Sequence, residues 1–267
     1  MSTSSFALRD SKAMLRRNLK HAQRNPQMTV SVVAMPIVML LMFVYVFGSA
    51  LGNGVDLPGA SGGSARDDYT NYVTPGFVLM AVATSSIATA VSVCSDMTKG
   101  IINRFRTMAI SRASVLTGHV GGNVIQTLIS LVLVIGVALA VGFRPDATPV
   151  EWLAAIGVIS LLAIAFSWIS AAIGLGSQTV EAASNAPMPL TFLPFLSSAV
   201  VPTDSMPAGL RWFAEYQPFT PINETLRGLL MGTEIGNDGV IAVAWCLGLS
   251  LLGYLWSRSI FNRDTRS

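Results

Sequence analysis

The 267-residue chain carries 17 Lys/Arg and 14 Asp/Glu, so 12% of its residues are charged, 52% are hydrophobic and the net charge is +3. A soluble domain carries about 25% charged residues. This composition excludes a disordered chain and an ordinary soluble enzyme, and it points to a surface covered largely by lipid.

Six stretches of 19 or more residues contain no Asp, Glu, Lys or Arg: 25–55, 69–95, 113–143, 152–180, 182–203 and 239–257. A helix crosses a bilayer with about 20 mostly apolar residues. The sequence therefore predicts an all-α integral membrane protein with six transmembrane helices in a single domain, 1–267. The predicted spans lie at about 28–50, 75–95, 117–142, 152–174, 183–203 and 240–257.

The chain begins with a predicted amphipathic helix over 5–25. Leu8, Leu15, Leu19 and Ala22 share one face, and Arg9, Lys12, Arg16, Lys20 and Arg24 follow the adjacent one, with Arg17 beside them. Such a basic helix is expected to lie in the inner headgroup layer; a solvated helix that only enforces topology is the alternative. Asn25-Pro26 ends it, because a residue before proline avoids the α region. The long polar lead and the long first apolar run do not match a secretory signal.

Span 1 carries Phe43, Tyr45 and Phe47, and the Gly/Ser-rich loop after it has linker composition. Span 2 carries the hydroxyls of Thr84, Ser85, Ser86 and Thr89. Between spans 2 and 3, residues 97–112 set Ile101, Ile102, Phe105, Met108 and Ala109 at helical spacing among Arg104, Arg106 and Arg112. A short helix with a bulky apolar knob and flanking guanidinium groups suits the groove of a partner protein, or it simply rests on headgroups. His119, flanked by Gly118, Gly121 and Gly122, reads as an interfacial histidine at the inner end of span 3, with a proton relay as the alternative.

Span 5 contains Pro187, Pro189, Pro194 and Pro202, so it is expected to be kinked or interrupted. Broken helices often line a pathway. Phe192, Phe195, Thr191, Ser197 and Ser198, together with Phe43, Tyr45, Phe47, Ser85 and Ser86, are thus candidates for a substrate-facing surface; ordinary helix packing is the plainer reading. Residues 202–238 are too long for a turn and too polar to span. Cys94 and Cys246 fall inside spans and read as packing residues.

Thirteen of the 17 basic residues fall on the side that holds both termini; the other side holds four, with ten of the acidic residues. The excess of Lys and Arg places both termini in the cytoplasm. The sequence has no G-x-x-x-x-G-K-[ST] phosphate loop and no H-E-x-x-H. The uncharged spans give an ion-coupled carrier little to work with, so the energy source is expected to be a partner.

The segment after span 2 supplies Gly100, Asn103, Arg104, Phe105, Arg106, Ile110, Ser111, Arg112, Val115, Leu116 and Gly118. In this it resembles the ABC-2 family of ABC-transporter permeases, most of all the daunorubicin/doxorubicin-resistance subgroup. It departs from that pattern at Ala109, where the family has proline. The resemblance extends to residues 15–26, to Met35-Pro36, to 206–221 and to Leu226-Arg227-Gly228-Leu229-Leu230.

The resemblance implies an export permease of a bacterial plasma membrane with no ATPase of its own. It implies a second copy of the permease, two ABC ATPase subunits that hold ATP and Mg²⁺, and no nucleic-acid partner. It makes 97–112 a cytoplasmic coupling helix carrying Gly100, Arg104, Phe105, Arg106, Ser111 and Arg112. It suggests two re-entrant outer helices between spans 5 and 6. The cargo expected is a hydrophobic or amphipathic, drug-like compound; a glycolipid or lipid-linked glycan, or a scaffold or sensor that transports nothing, are the alternatives.

Overall fold

Backbone groups in lipid have no water to bond to, so apolar runs of this length fold as helices that satisfy themselves. A computed structural model describes residues 26–54, 64–99 and 112–263, and every regular element among them is helical. The predicted N-terminal helix (5–25), most of the Gly-rich loop and residues 100–111 of the predicted coupling helix lie outside the described residues.

Helix α1 (Pro26–Met42) continues through a π-helical turn (Phe43–Phe47) into α2 (Gly48–Gly54). Then come α3 (Ala65–Thr98), α4 (Arg112–Val141), α5 (Pro149–Gly176), α6 (Val180–Asn185), α7 (Met188–Phe192) and a 3₁₀ turn (Leu193–Leu196). A second 3₁₀ turn (Thr203–Ser205), α8 (Ala208–Tyr216), α9 (Phe219–Met231) and α10 (Asp238–Arg263) complete the chain. Local chemistry sets the ends. Ser64 caps α3 by accepting from the Asp67 amide, and Thr148 and Glu151 form a reciprocal capping box ahead of Pro149. Gly232, at φ 71°, closes α9 in the left-handed region that glycine tolerates best.

Among the described residues, five helices are long and apolar enough to cross a membrane: the rod Val33–Gly54, α3, α4, α5 and the stretch Asp238–Phe261 of α10. At 28 residues α5 is about 42 Å long, against a hydrocarbon core of about 30 Å. Helix α3 is the hub: 72% of its most apolar window is buried, against 17% for α10. The α1–α2 rod, α4 and α5 pack on α3, and α10 packs on the far side of α5. Close approach rests on small residues. A Cβ on Gly174 would stand 2.4 Å from the Ala90 carbonyl oxygen, and one on Gly253 2.7 Å from the Ile169 nitrogen. The outward faces are apolar, with Val132 and Leu133 of α4, Val150 and Leu153 of α5, and Leu247, Leu251 and Leu252 of α10 all exposed.

The helices alternate between two ends. At the proximal end, Phe261 packs with Leu116, Val93 and Leu175, and Cys94 lies beside the Ser177 carbonyl. At the distal end, the Arg144 amide donates to Asn71 and the Asp146 amide to the Leu230 carbonyl.

Residues 183–203 do not form one helix, although the uncharged stretch predicts a span there. They are α6, α7, a 3₁₀ turn and a run of turns to residue 201. Pro187, Pro189 and Pro194 remove the amide donors that an unbroken helix needs. The segment still follows α3 from end to end. Ala183 packs with Ala90 and Cys94, Phe195 lies against Phe77, and the Ser198 and Val200 carbonyls accept from the Tyr72 and Tyr69 hydroxyls. From Cys94 to Tyr69 that path measures about 37 Å along the helix.

Candidate functional site

Helix α4 is polar on its inside. His119, Asn123, Thr127 and Ser130 recur every three or four residues on one face, and all are buried against α3 and α5. Asn123 Nδ2 donates to Ser167 Oγ at 2.8 Å, and Ser167 donates in turn to the Ala163 carbonyl. Thr127 and Ser85 share a hydrogen bond of 2.6 Å. At the proximal end His119 Nε2 lies 3.2 Å from Asp96 Oδ2, with Ser92 Oγ 3.4 Å from Nδ1. His119 is thus buried within the bundle in an acid–imidazole pair. Asp96 falls just past a charge-free stretch, yet the same unbroken α3 carries it into the interior.

The aromatic candidates divide into two groups. Phe47, Phe77 and Phe195 come together around Phe43. Phe43 lies 5.4 Å from Phe47, 5.5 Å from Phe77 and 6.2 Å from Phe195, and Phe77 meets Phe195 edge-on at 6.3 Å. The π-helical turn aims these rings, since its extra residue re-phases the helix face. Tyr45 and Phe192 point outward, both 61% exposed, and the Arg66 guanidinium covers the Tyr45 ring at 4.0 Å. Ser85 and Ser86 are buried, Ser85 against α4, so they sit apart from the ring cluster.

The prolines of the interrupted segment leave carbonyls without helical donors, and long-range side chains supply them. Gln217 Nε2 donates to the Leu196 carbonyl at 2.7 Å and to that of Leu193 at 3.3 Å. The Tyr72 hydroxyl donates to the Ser198 carbonyl at 2.8 Å, and Asn223 Nδ2 to Ser198 Oγ at 3.1 Å. Arg227, fully buried in α9, donates to the Ser198 and Tyr72 carbonyls and pairs with Glu224. Sequence reasoning did not single out Arg227. The available signal was a charge set within the apolar run Leu226–Leu230, which in a membrane is a mark of function. On α8, Arg211 bonds Glu215 and Asp204, each at 2.6 Å, and these carboxylates raise its pKa above the usual guanidinium value.

The coupling candidates Gly100, Arg104, Phe105, Arg106 and Ser111, and the interfacial candidates Arg9, Lys12, Arg16, Arg17 and Lys20, lie outside the described residues. Arg112 opens α4, but its side chain is outside them too. Cys94 and Cys246 are free and buried. Among the described residues no three His, Cys, Asp or Glu side chains gather as a metal site.

The chain is 28% identical over 227 residues to the daunorubicin resistance ABC transporter permease protein DrrB1 of Streptomyces coeruleorubidus, covering 85% of this chain and 74% of that protein. It is 23% identical over 216 residues to the probable doxorubicin resistance ABC transporter permease protein DrrC of Mycobacterium tuberculosis, covering 81% and 76% respectively. The ABC-2 type transporter family model matches residues 9–231. A match over that span, on a helical bundle with several membrane-length apolar helices, makes this chain a multi-pass membrane permease that belongs to the ABC-2 type transporter family.

Proposed function

We propose that the chain is the membrane half of an ATP-driven exporter of hydrophobic or amphipathic, drug-like compounds. ATP and Mg²⁺ belong to a separate ABC ATPase, present in two copies beside two copies of this permease. The absence of a phosphate loop from the sequence and the resistance-permease relatives support this division of labour.

The proximal end is the cytoplasmic one. Both termini and the coupling residues Gly100, Arg104, Phe105, Arg106, Ser111 and Arg112 belong to it, as the side rich in Lys and Arg. The interrupted segment is the sixth crossing of a single membrane domain, and α8 and α9 are the outer re-entrant pair. The N-terminal basic helix lies along the inner surface of a bacterial plasma membrane. One observation carries the cargo assignment. Phe43, Phe47, Phe77 and Phe195 form an aromatic cluster where the rod of α1 and α2 meets the proline-broken segment, a surface that suits flat, apolar rings.

The test is ATP-dependent uptake of daunorubicin into inverted vesicles holding the permease and its ATPase. Phe105→Ala and Arg104→Ala are each expected to lower uptake about tenfold, and Phe43→Ala to raise KM more than it lowers kcat. Uptake that ignores ATP or survives both coupling substitutions would overturn the mechanism. Movement of a lipid-linked glycan in place of daunorubicin would overturn the cargo.

A further inference from the structure

Arg227 is among the largest fully buried side chains among the described residues. Its guanidinium joins three parts of the chain. Nη2 donates to the Ser198 carbonyl of the interrupted segment at 2.9 Å and to the Tyr72 carbonyl of α3 at 3.2 Å. Nη1 donates to Glu224 on its own helix, and the whole group lies over the Tyr72 ring, 3.8 Å from its centroid. Only a planar fork can stack on a ring while its nitrogens bond sideways to carbonyls and a carboxylate. Nε has no partner.

Stability alone does not call for a cation here. A buried ion pair exchanged for apolar groups of equal volume is often neutral or better, and the carboxylate partner is 27% exposed. What Arg227 does hold is the point where the interrupted segment leaves its 3₁₀ turn. The carbonyl it grips also accepts from the Tyr72 hydroxyl, and the next residue, Ala199, lies so near α3 that a Cβ on Gly76 would stand 2.5 Å from its own. Irregular backbone in a membrane cannot exchange such partners for lipid. The segment is therefore either clasped on α3 or moved as a unit to new partners.

We propose that Arg227 is the positioning residue that latches the interrupted segment against α3 at the distal end, and that cargo leaves when the Ser198 carbonyl is released from it. The latch is a property of this chain; the cargo step rests on the export reading above.

The experiment uses the full chain with Cys94→Ala, Cys246→Ala and Ser198→Cys. The last change keeps the backbone carbonyl that Arg227 holds and places a thiol at a buried position. Arg227→Lys keeps the charge but loses the fork, and Tyr72→Phe removes the second donor to the same carbonyl while keeping the ring. Each is expected to raise the maleimide labelling rate at position 198 about tenfold, by shifting population to the released state. A separate background that retains Cys246, buried in α10, reports global loosening and is expected to label as slowly as the parent. Unchanged labelling at 198 in both variants overturns the latch, as does a parallel rise at Cys246. In vesicles with the ATPase, the latch variants are expected to move less daunorubicin per ATP hydrolysed. Faster labelling in a protein that moves no daunorubicin in any form leaves the latch standing and overturns the export reading.

Discussion

Asn123 and Ser167 form a hydrogen bond between side chains that are both buried between apolar helices. Bonds of this kind between membrane helices contribute about 1 kcal/mol, because the separated helices also find partners. Asn123→Ala is expected to lower the unfolding free energy in detergent micelles by about 1 kcal/mol, within that range. A denaturant titration showing no change would mean that Ser167, which already donates to Ala163, needs no second partner. His119 and Asp96 place a buried acid–imidazole pair at the base of the segment that carries the coupling candidates, where α3 ends and α4 begins. In the export reading, a change at that base reaches α3 and α4 together.

At the scale of elements, the interrupted segment is the least regular part of the bundle, and donors from α3, α9 and the α8–α9 junction hold it in place. Gln217 serves two carbonyls at once. Gln217→Leu keeps the volume but withdraws both bonds, and leaving buried carbonyls unpaired costs about 2 kcal/mol. The expected result is a fall of several degrees in the melting temperature of the purified protein, followed by thermal shift. An unchanged melting temperature would show that the 3₁₀ turn satisfies itself. Helix α10 behaves oppositely. It touches its neighbours along one face, with Gly253 set against Trp168 and Ile169, and exposes Leu247, Leu251 and Leu252 on the other.

For the whole molecule, the question is how many times the chain crosses. Gln178 precedes the interrupted segment and Ser205 follows it, and both are exposed. Cysteines placed there, as Gln178→Cys and Ser205→Cys, are expected to react with a membrane-impermeant reagent from opposite sides of intact cells and inverted vesicles. Labelling of both from one side would remove the sixth crossing and separate the two termini across the membrane.

The existence and approximate length of the five long apolar helices were legible in the sequence, because they follow from local composition. A run without charges is soluble in lipid wherever it sits. The four prolines likewise announced the break in span 5. What that break became was not legible. Its carbonyls are met by Tyr72, Gln217 and Arg227, and the Tyr72–Ser198 bond joins residues 126 apart. Pairings that distant depend on which helices become neighbours, and no local spacing encodes them. The same holds for His119 and Asp96, 23 positions apart and brought together only by the packing of α4 on α3. Composition by itself determined a helical membrane protein. The tertiary structure decided which polar groups face inward, because in a lipid-covered bundle the partners of buried donors and acceptors can come only from the protein.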